Sequence, residues 1–173
     1  SDQLKVGDTV SLETLCYGML MASGNDAANT TALYLGGTQQ GFARMMNQRA
    51  KDIGMTSTNF VTPSGLDDDQ HYSTAYDMAL LGRAAMQNPL FATMVSRKSV
   101  RVSFGNPPYE RTLTGHNKLL NMYEHACGIK TGFTKKAGRC LVTAAKKDGA
   151  LLIAVTLSAP DDWNDHIKLY EYG

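Results

Sequence analysis

The chain has 173 residues, 43% hydrophobic and 19% charged, with 17 basic against 16 acidic side chains and a formal net charge of +1. That is the composition of a soluble globular domain, without the basic excess of a nucleic-acid binder or an apolar run long enough to span a membrane. It also excludes collagen, intrinsic disorder and a disulfide scaffold. The chain opens at Ser1 without an initiator Met and closes on Tyr172-Gly173 directly after an amphipathic stretch, so it reads as cut at both ends.

In chain order, Ser11 caps a helix over residues 11–22, in which Leu12, Leu15, Met19 and Leu20 recur at helical spacing. Ser23-Gly24-Asn25-Asp26 breaks that pattern, and a second helix runs from Ala27 to Tyr34 before Gly36-Gly37 stops it. Phe42, Met45, Met46, Ala50 and Ile53 mark a third helix over 39–53, ended by Gly54. From Asn59 to Tyr72 the density of Pro, Gly, Asp and Ser predicts a loop, with Asp67-Asp68-Asp69 solvated rather than ligating calcium. Ser73 precedes a further helix, and Asn88-Pro89 opens a shorter one. Residues 99–104 alternate as a strand, and Pro107-Pro108 predicts a loop.

The last third changes character. Residues 128–133, 140–145 and 150–158 are β-prone runs separated by two Gly-containing turns, which predicts an antiparallel meander. Its first turn, near Lys136, sets position 132 opposite Cys140, so a Cys127–Cys140 disulfide does not fit. Asp161 or Asp162 caps a final helix carrying Trp163, Ile167, Leu169 and Tyr170. The architecture is therefore α+β, with a helical lobe at about 11–98 and a sheet lobe at about 126–173. The three cysteines lack zinc spacing and the four histidines lack paired metal-ligand spacing, so capping or surface roles are expected for the histidines and no metal or cofactor is implied.

Two strings carry chemistry. Ser23-Gly24-Asn25 lies in a break between helices, and Lys130-Thr131-Gly132 lies on a strand. A serine hydroxyl needs a positioned base before it attacks or relays a proton, and a lysine serves near neutral pH only when burial or another cation lowers its pKa. A Ser-x-Asn loop facing a Lys-Thr-Gly strand is two thirds of the penicillin-recognising serine-enzyme signature.

With residues 21–28, Thr62-Pro63-Ser64-Gly65-Leu66, residues 71–78, Asn117-Lys118-Leu119-Leu120 and residues 128–134, the chain resembles the D-alanyl-D-alanine carboxypeptidases, the low-molecular-mass penicillin-binding proteins. The resemblance runs from about residue 5 to Gly173. It implies a β-lactamase/transpeptidase-like fold and acyl transfer by a serine nucleophile on the D-Ala-D-Ala end of peptidoglycan pentapeptides, with β-lactam antibiotics as acylating mimics. By the same resemblance Ser23 relays a proton, Asn25 bonds the substrate amide, Lys130 sets the electrostatics of the cleft and Thr131 binds the terminal carboxylate. The backbone from Gly132 through Phe133 would line the extended peptide. Arg139 or a neighbouring lysine is a further option for the carboxylate.

One departure from the family pattern is complete. No serine in the chain has lysine three positions on; Ser23 meets Asp26, Ser73 meets Tyr76 and Ser96 meets Ser99. The family's Ser-x-x-Lys motif lies upstream of the stretch matching Lys5-Val6-Gly7-Asp8. The resemblance thus implies an N-terminally truncated catalytic domain, lacking its first strands and nucleophile helix and inactive alone. The parent would be secreted to the outer face of the bacterial cytoplasmic membrane and held there by a C-terminal segment. The open sheet edge would invite self-association. A same-fold serine β-lactamase and a non-catalytic peptidoglycan- or partner-binding module are the competing readings.

Overall fold

The structure, a computed structural model, describes residues 4–173; the opening Ser1 lies outside them. Three helices start the chain. Helix α1 (Leu12–Met21) begins where the Ser11 side chain accepts the Thr14 N–H at 3.1 Å. Helix α2 (Asn25–Gly36) and α3 (Gln39–Asp52) meet at a sharp corner, where Thr38 caps α3 through the Gly41 N–H. A Cβ on Gly41 would lie 2.1 Å from the Gly36 carbonyl oxygen, so only glycine lets the two helices turn that closely.

Helix α4 (Ala75–Met86) is capped by Thr74 rather than Ser73, whose hydroxyl instead pairs with Thr58 at 2.8 Å. Helix α5 (Pro89–Ser96) starts as expected, with Asn88 at the N-cap and Pro89 at the first helical position. Strand β1 (Ser99–Gly105) then turns back through Asn106-Pro107 into β2 (Pro108–Thr114), pairing Ser99 with Thr114 and Gly105 with Pro108. The sequence pattern had placed a loop here. Pro108 is tolerated as the first residue of a two-stranded ribbon, where its missing N–H leaves no internal ladder position empty.

After the short α6 (Leu119–Met122), strands β3 (Ala126–Thr134), β4 (Gly138–Lys147) and β5 (Ala150–Thr156) form an antiparallel sheet in that spatial order, followed by α7 (Asp162–Tyr172). The register sets Gly132 opposite Cys140, as the turn position predicts, and all three cysteines are free thiols. Helices α4 and α5 cover one face through Met86, Val95, Ile129, Val142 and Ala144. Helices α6 and α7 cover the other through Leu119, Ala145, Ala154 and Tyr170. Covered on both faces, the central strand β4 buries five consecutive residues, Leu141 to Ala145, and so loses the alternation of a half-exposed strand. A third cluster packs Tyr17 and Met21 of α1 on Met94, Val102 and Phe104, joining the helices to the β1–β2 ribbon.

One expectation fails at α7. The most buried stripe of α7 is Asp162, His166 and Tyr170, four residues apart, whereas Leu169 is exposed. His166 is not a surface residue: its ring lies fully buried, with Nδ1 on the Thr143 hydroxyl at 2.6 Å and Nε2 on Thr156 at 2.9 Å. A polar side chain can take an inward position when both ring nitrogens find partners. Asp67, Asp68 and Asp69 are exposed, as expected, and the 59–72 loop that carries them is also tied down by hydrogen bonds. Thr134 bonds Asp67 at 2.9 Å, Lys136 pairs with Asp69 at 2.6 Å, and His71 accepts the N–H groups of Val61 and Thr62.

Candidate active site

The Ser23 corner forms because α1 ends at Met21 and α2 restarts at Asn25, leaving three residues to reverse the chain. Ser23 adopts φ +51°, a conformation uncommon for a non-glycine residue, and the Gly24 N–H bonds back to the Gly18 carbonyl at 3.0 Å. The turn presents an exposed hydroxyl toward the sheet. Asn25 is the first residue of α2 and is exposed beside it, though it does not line the cleft floor.

Across from it stands Lys130 on β3, the strand that is paired only to β4 and so turns its other edge to the cleft. Lys130 Nζ donates to Ser23 Oγ, across 107 residues of sequence, and to the Thr131 carbonyl at 2.6 Å. Burial pushes the Lys130 ammonium down to about 8. A lysine there exchanges its proton near physiological pH, as an acid–base group requires.

Between the Ser23 turn and the sheet lies a cleft of about 360 Å³, lined by Ser23, Thr131, Gly132 and Phe133, by His116 and Lys118 from the loop after β2, and by Arg139, Cys140, Asp162 and Trp163. The structure thus gathers Ser23, Lys130, Thr131, Gly132 and Phe133, whereas Asn25 is exposed two residues from Ser23 and is not among the residues lining the cleft. His116, Asp162 and Trp163 were not singled out from sequence as cleft residues. Lys118 stood inside a block noted for resemblance, but nothing in its spacing marks it as a wall. Asp162 looked like a helix cap; its carboxylate is instead buried and accepts from Arg139 Nε at 3.1 Å, Arg139 Nη2 at 2.9 Å and the Trp163 N–H at 2.9 Å. Among the described residues no group of three His, Cys, Asp or Glu side chains is arranged to hold a metal ion.

A helical lobe set against an antiparallel sheet, with a serine from an interhelical turn touching a lysine on the edge strand, defines the architecture of the penicillin-recognising serine enzymes. Residues 1–161 match the family described as D-alanyl-D-alanine carboxypeptidase, peptidase S11, and the chain belongs to that family. It is 36% identical to the D-alanyl-D-alanine carboxypeptidase DacB2 of Mycobacterium tuberculosis, over 98% of this chain and 60% of that protein. It is 38% identical to DacC of Escherichia coli, over 98% of this chain and 42% of that protein. An alanine variant of the Streptomyces K15 DD-transpeptidase superposes with a TM-score of 0.93 at 31% identity, over 98% of this chain and 70% of that chain. The chain therefore spans about 40 to 60% of the length of these two carboxypeptidases.

Proposed function

We propose that the chain forms two walls of the cleft of a serine-type D-Ala-D-Ala carboxypeptidase, which removes the terminal D-Ala of a peptidoglycan stem peptide through an acyl-enzyme. The observation that carries this reading is the contact between Lys130 Nζ and the Ser23 hydroxyl at a cleft bordered by an open strand edge.

In this reading the extended peptide lies along the outer edge of β3, exchanging backbone hydrogen bonds with residues from Gly132 to Phe133. Asn25 bonds the peptide amide, and Thr131 holds the terminal carboxylate. Ser23, polarised by Lys130, passes a proton to the amine of the departing D-Ala as the C–N bond breaks. The lowered proton affinity of Lys130 lets it give up and regain that proton without a large energetic penalty. The nucleophile and its base form the third wall; the 173 residues contain no Ser-x-x-Lys pair, so the chain alone forms no acyl-enzyme. The reaction belongs at the outer face of the bacterial cytoplasmic membrane, where the stem peptides are, and β-lactams would acylate the complete site.

The test joins this chain to the Ser-x-x-Lys-bearing segment of a relative and measures D-Ala release from a pentapeptide. Release that falls about 100-fold or more in both Ser23→Ala and Lys130→Ala is the expected result. Release indifferent to both substitutions would sink the assignment, and rapid turnover of penicillin in place of D-Ala release would move it to a β-lactamase.

A further inference from the structure

Resting on the cleft reading above, we propose that Asn117 is a positioning residue for Lys130, acting through one buried water that its amide holds behind the lysine.

Asn117 lies in the segment that joins β2 to α6, and the two polar atoms of its amide meet different surroundings. Oδ1 accepts the Leu119 N–H at 3.1 Å, at the first residue of α6. That contact fixes the orientation of the amide, because the flipped form would set two donors face to face. Nδ2 therefore points the other way. Among the described residues it is the one buried side-chain donor or acceptor without a hydrogen-bond partner. Buried donors in folded proteins nearly always find an acceptor, in the protein or in ordered water.

The acceptor has a place to sit. Asn117 lines a space of about 20 Å³ between α5, the residues after β2 and strand β3. One water needs roughly 10–15 Å³ of such space and two to four polar partners. The lining is apolar on the α5 side, with Met94 and Val95, and polar toward the cleft, with Asn117, Lys130 and Thr131. An ammonium has three donors. Lys130 Nζ directs two of them to the Ser23 hydroxyl and the Thr131 carbonyl, and among the described residues the third has no acceptor. The Thr131 carbonyl keeps a second lone pair. A water at this point accepts from Asn117 Nδ2 and from the third Lys130 N–H and donates to the Thr131 carbonyl, so one molecule satisfies three groups.

The arrangement acts on the lysine and not on the fold alone. The other charged or titratable groups around this space are Arg97 and His116. Lys118, Arg139 and Asp162 line the cleft in front, the last two paired with each other. Among the described residues none of these five bonds to Lys130. The water is thus the contact that supports the ammonium form on the side away from Ser23, and Asn117 fixes where it sits.

Side-chain NMR of the 173-residue chain with isotope-labelled lysine follows the titration of Lys130, identified as the resonance absent from Lys130→Arg. Its midpoint should fall by about one pH unit in Asn117→Leu, where the ammonium loses an acceptor. It should rise by about one unit in Asn117→Asp, which keeps the Leu119 cap and turns a carboxylate toward the lysine. A residue that only caps α6 would leave the midpoint in place. Should a variant fail to fold, the unsubstituted chain decides: the Asn117 side-chain amide protons must show a nuclear Overhauser effect to a water of long residence. A midpoint unmoved in either variant, or amide protons that meet only rapidly exchanging solvent, overturns the role of Asn117 and leaves the cleft reading standing. That reading falls separately, if D-Ala release by the joined protein is indifferent to Ser23→Ala and Lys130→Ala.

Discussion

Lys130 and Ser23, 107 residues apart in sequence, meet through a hydrogen bond from the lysine Nζ to the serine hydroxyl. The contact holds the turn between α1 and α2 against the edge of β3. It also leaves a charge in partly dehydrated surroundings, and burial has lowered that lysine to about 8 from its usual 10.5.

That lowering has a signed effect on stability. Between pH 8 and 10.5 the unfolded chain holds a proton on Lys130 that the folded chain has released, so the contribution of Lys130 becomes more favourable as pH rises through this window. Below pH 8 both states are protonated and the full cost of burying the ammonium remains. Lys130→Met should therefore raise stability at pH 7 by on the order of 2 kcal/mol, with the advantage shrinking toward pH 10.5. Denaturant midpoints of both proteins at pH 7 and pH 10 check this; an equal difference at both would contradict it.

His166 works in the opposite range. Its burial pushes the imidazole down to about 4 from 6.5, against the opposing pull of Asp162 and Asp165. Between pH 6.5 and 4 the unfolded chain takes up a proton on this residue that the folded chain refuses, so stability falls as pH falls. The loss at full extent is on the order of 3 kcal/mol. Thermal melts at pH 7 and pH 4.5 should show a smaller acid-induced drop for His166→Gln than for the unsubstituted chain. Parallel drops would show that His166 is not the group responsible.

Asp77 fastens the long loop to α4. It is buried and accepts the Ser57 N–H at 2.8 Å and the Thr58 hydroxyl at 2.6 Å. Asp77→Ala strands the Ser57 N–H and leaves the Thr58 hydroxyl only Ser73, and should cost about 2 kcal/mol, a fall in Tm of roughly 4–8 °C. Hydrogen exchange should locate the loosening in residues 53–74. A variant as stable as the parent would mean that the Ser57 N–H finds water without cost.

Much of the fold was legible because local signals agreed with the tertiary outcome. Ser11, Asn88-Pro89 and the two turns of the meander each specify a chain direction through their own backbone chemistry, and the Gly132–Cys140 register followed from turn position. The Pro107-Pro108 segment misled because a proline signal is local, whereas the pairing of β2 is set by its partner β1. The buried stripe of α7 was illegible because Asp162 and His166 are polar, and only Arg139, Thr143 and Thr156, on other elements, make their burial tolerable. Ser23, Asn25, Lys130 and Thr131 stood out as short strings in context. Asp162 and Trp163 did not, since a cleft wall assembled from a helix start and a neighbouring strand leaves no pattern along the chain.

The account turns on a cleft with recognition groups but without its nucleophile. The most direct measurement incubates the 173-residue chain with a fluorescent penicillin and examines it on a denaturing gel, beside the same chain joined to a Ser-x-x-Lys-bearing segment. The account predicts no covalent label on the chain alone and a label on the joined protein. A covalent label on the chain alone would contradict it.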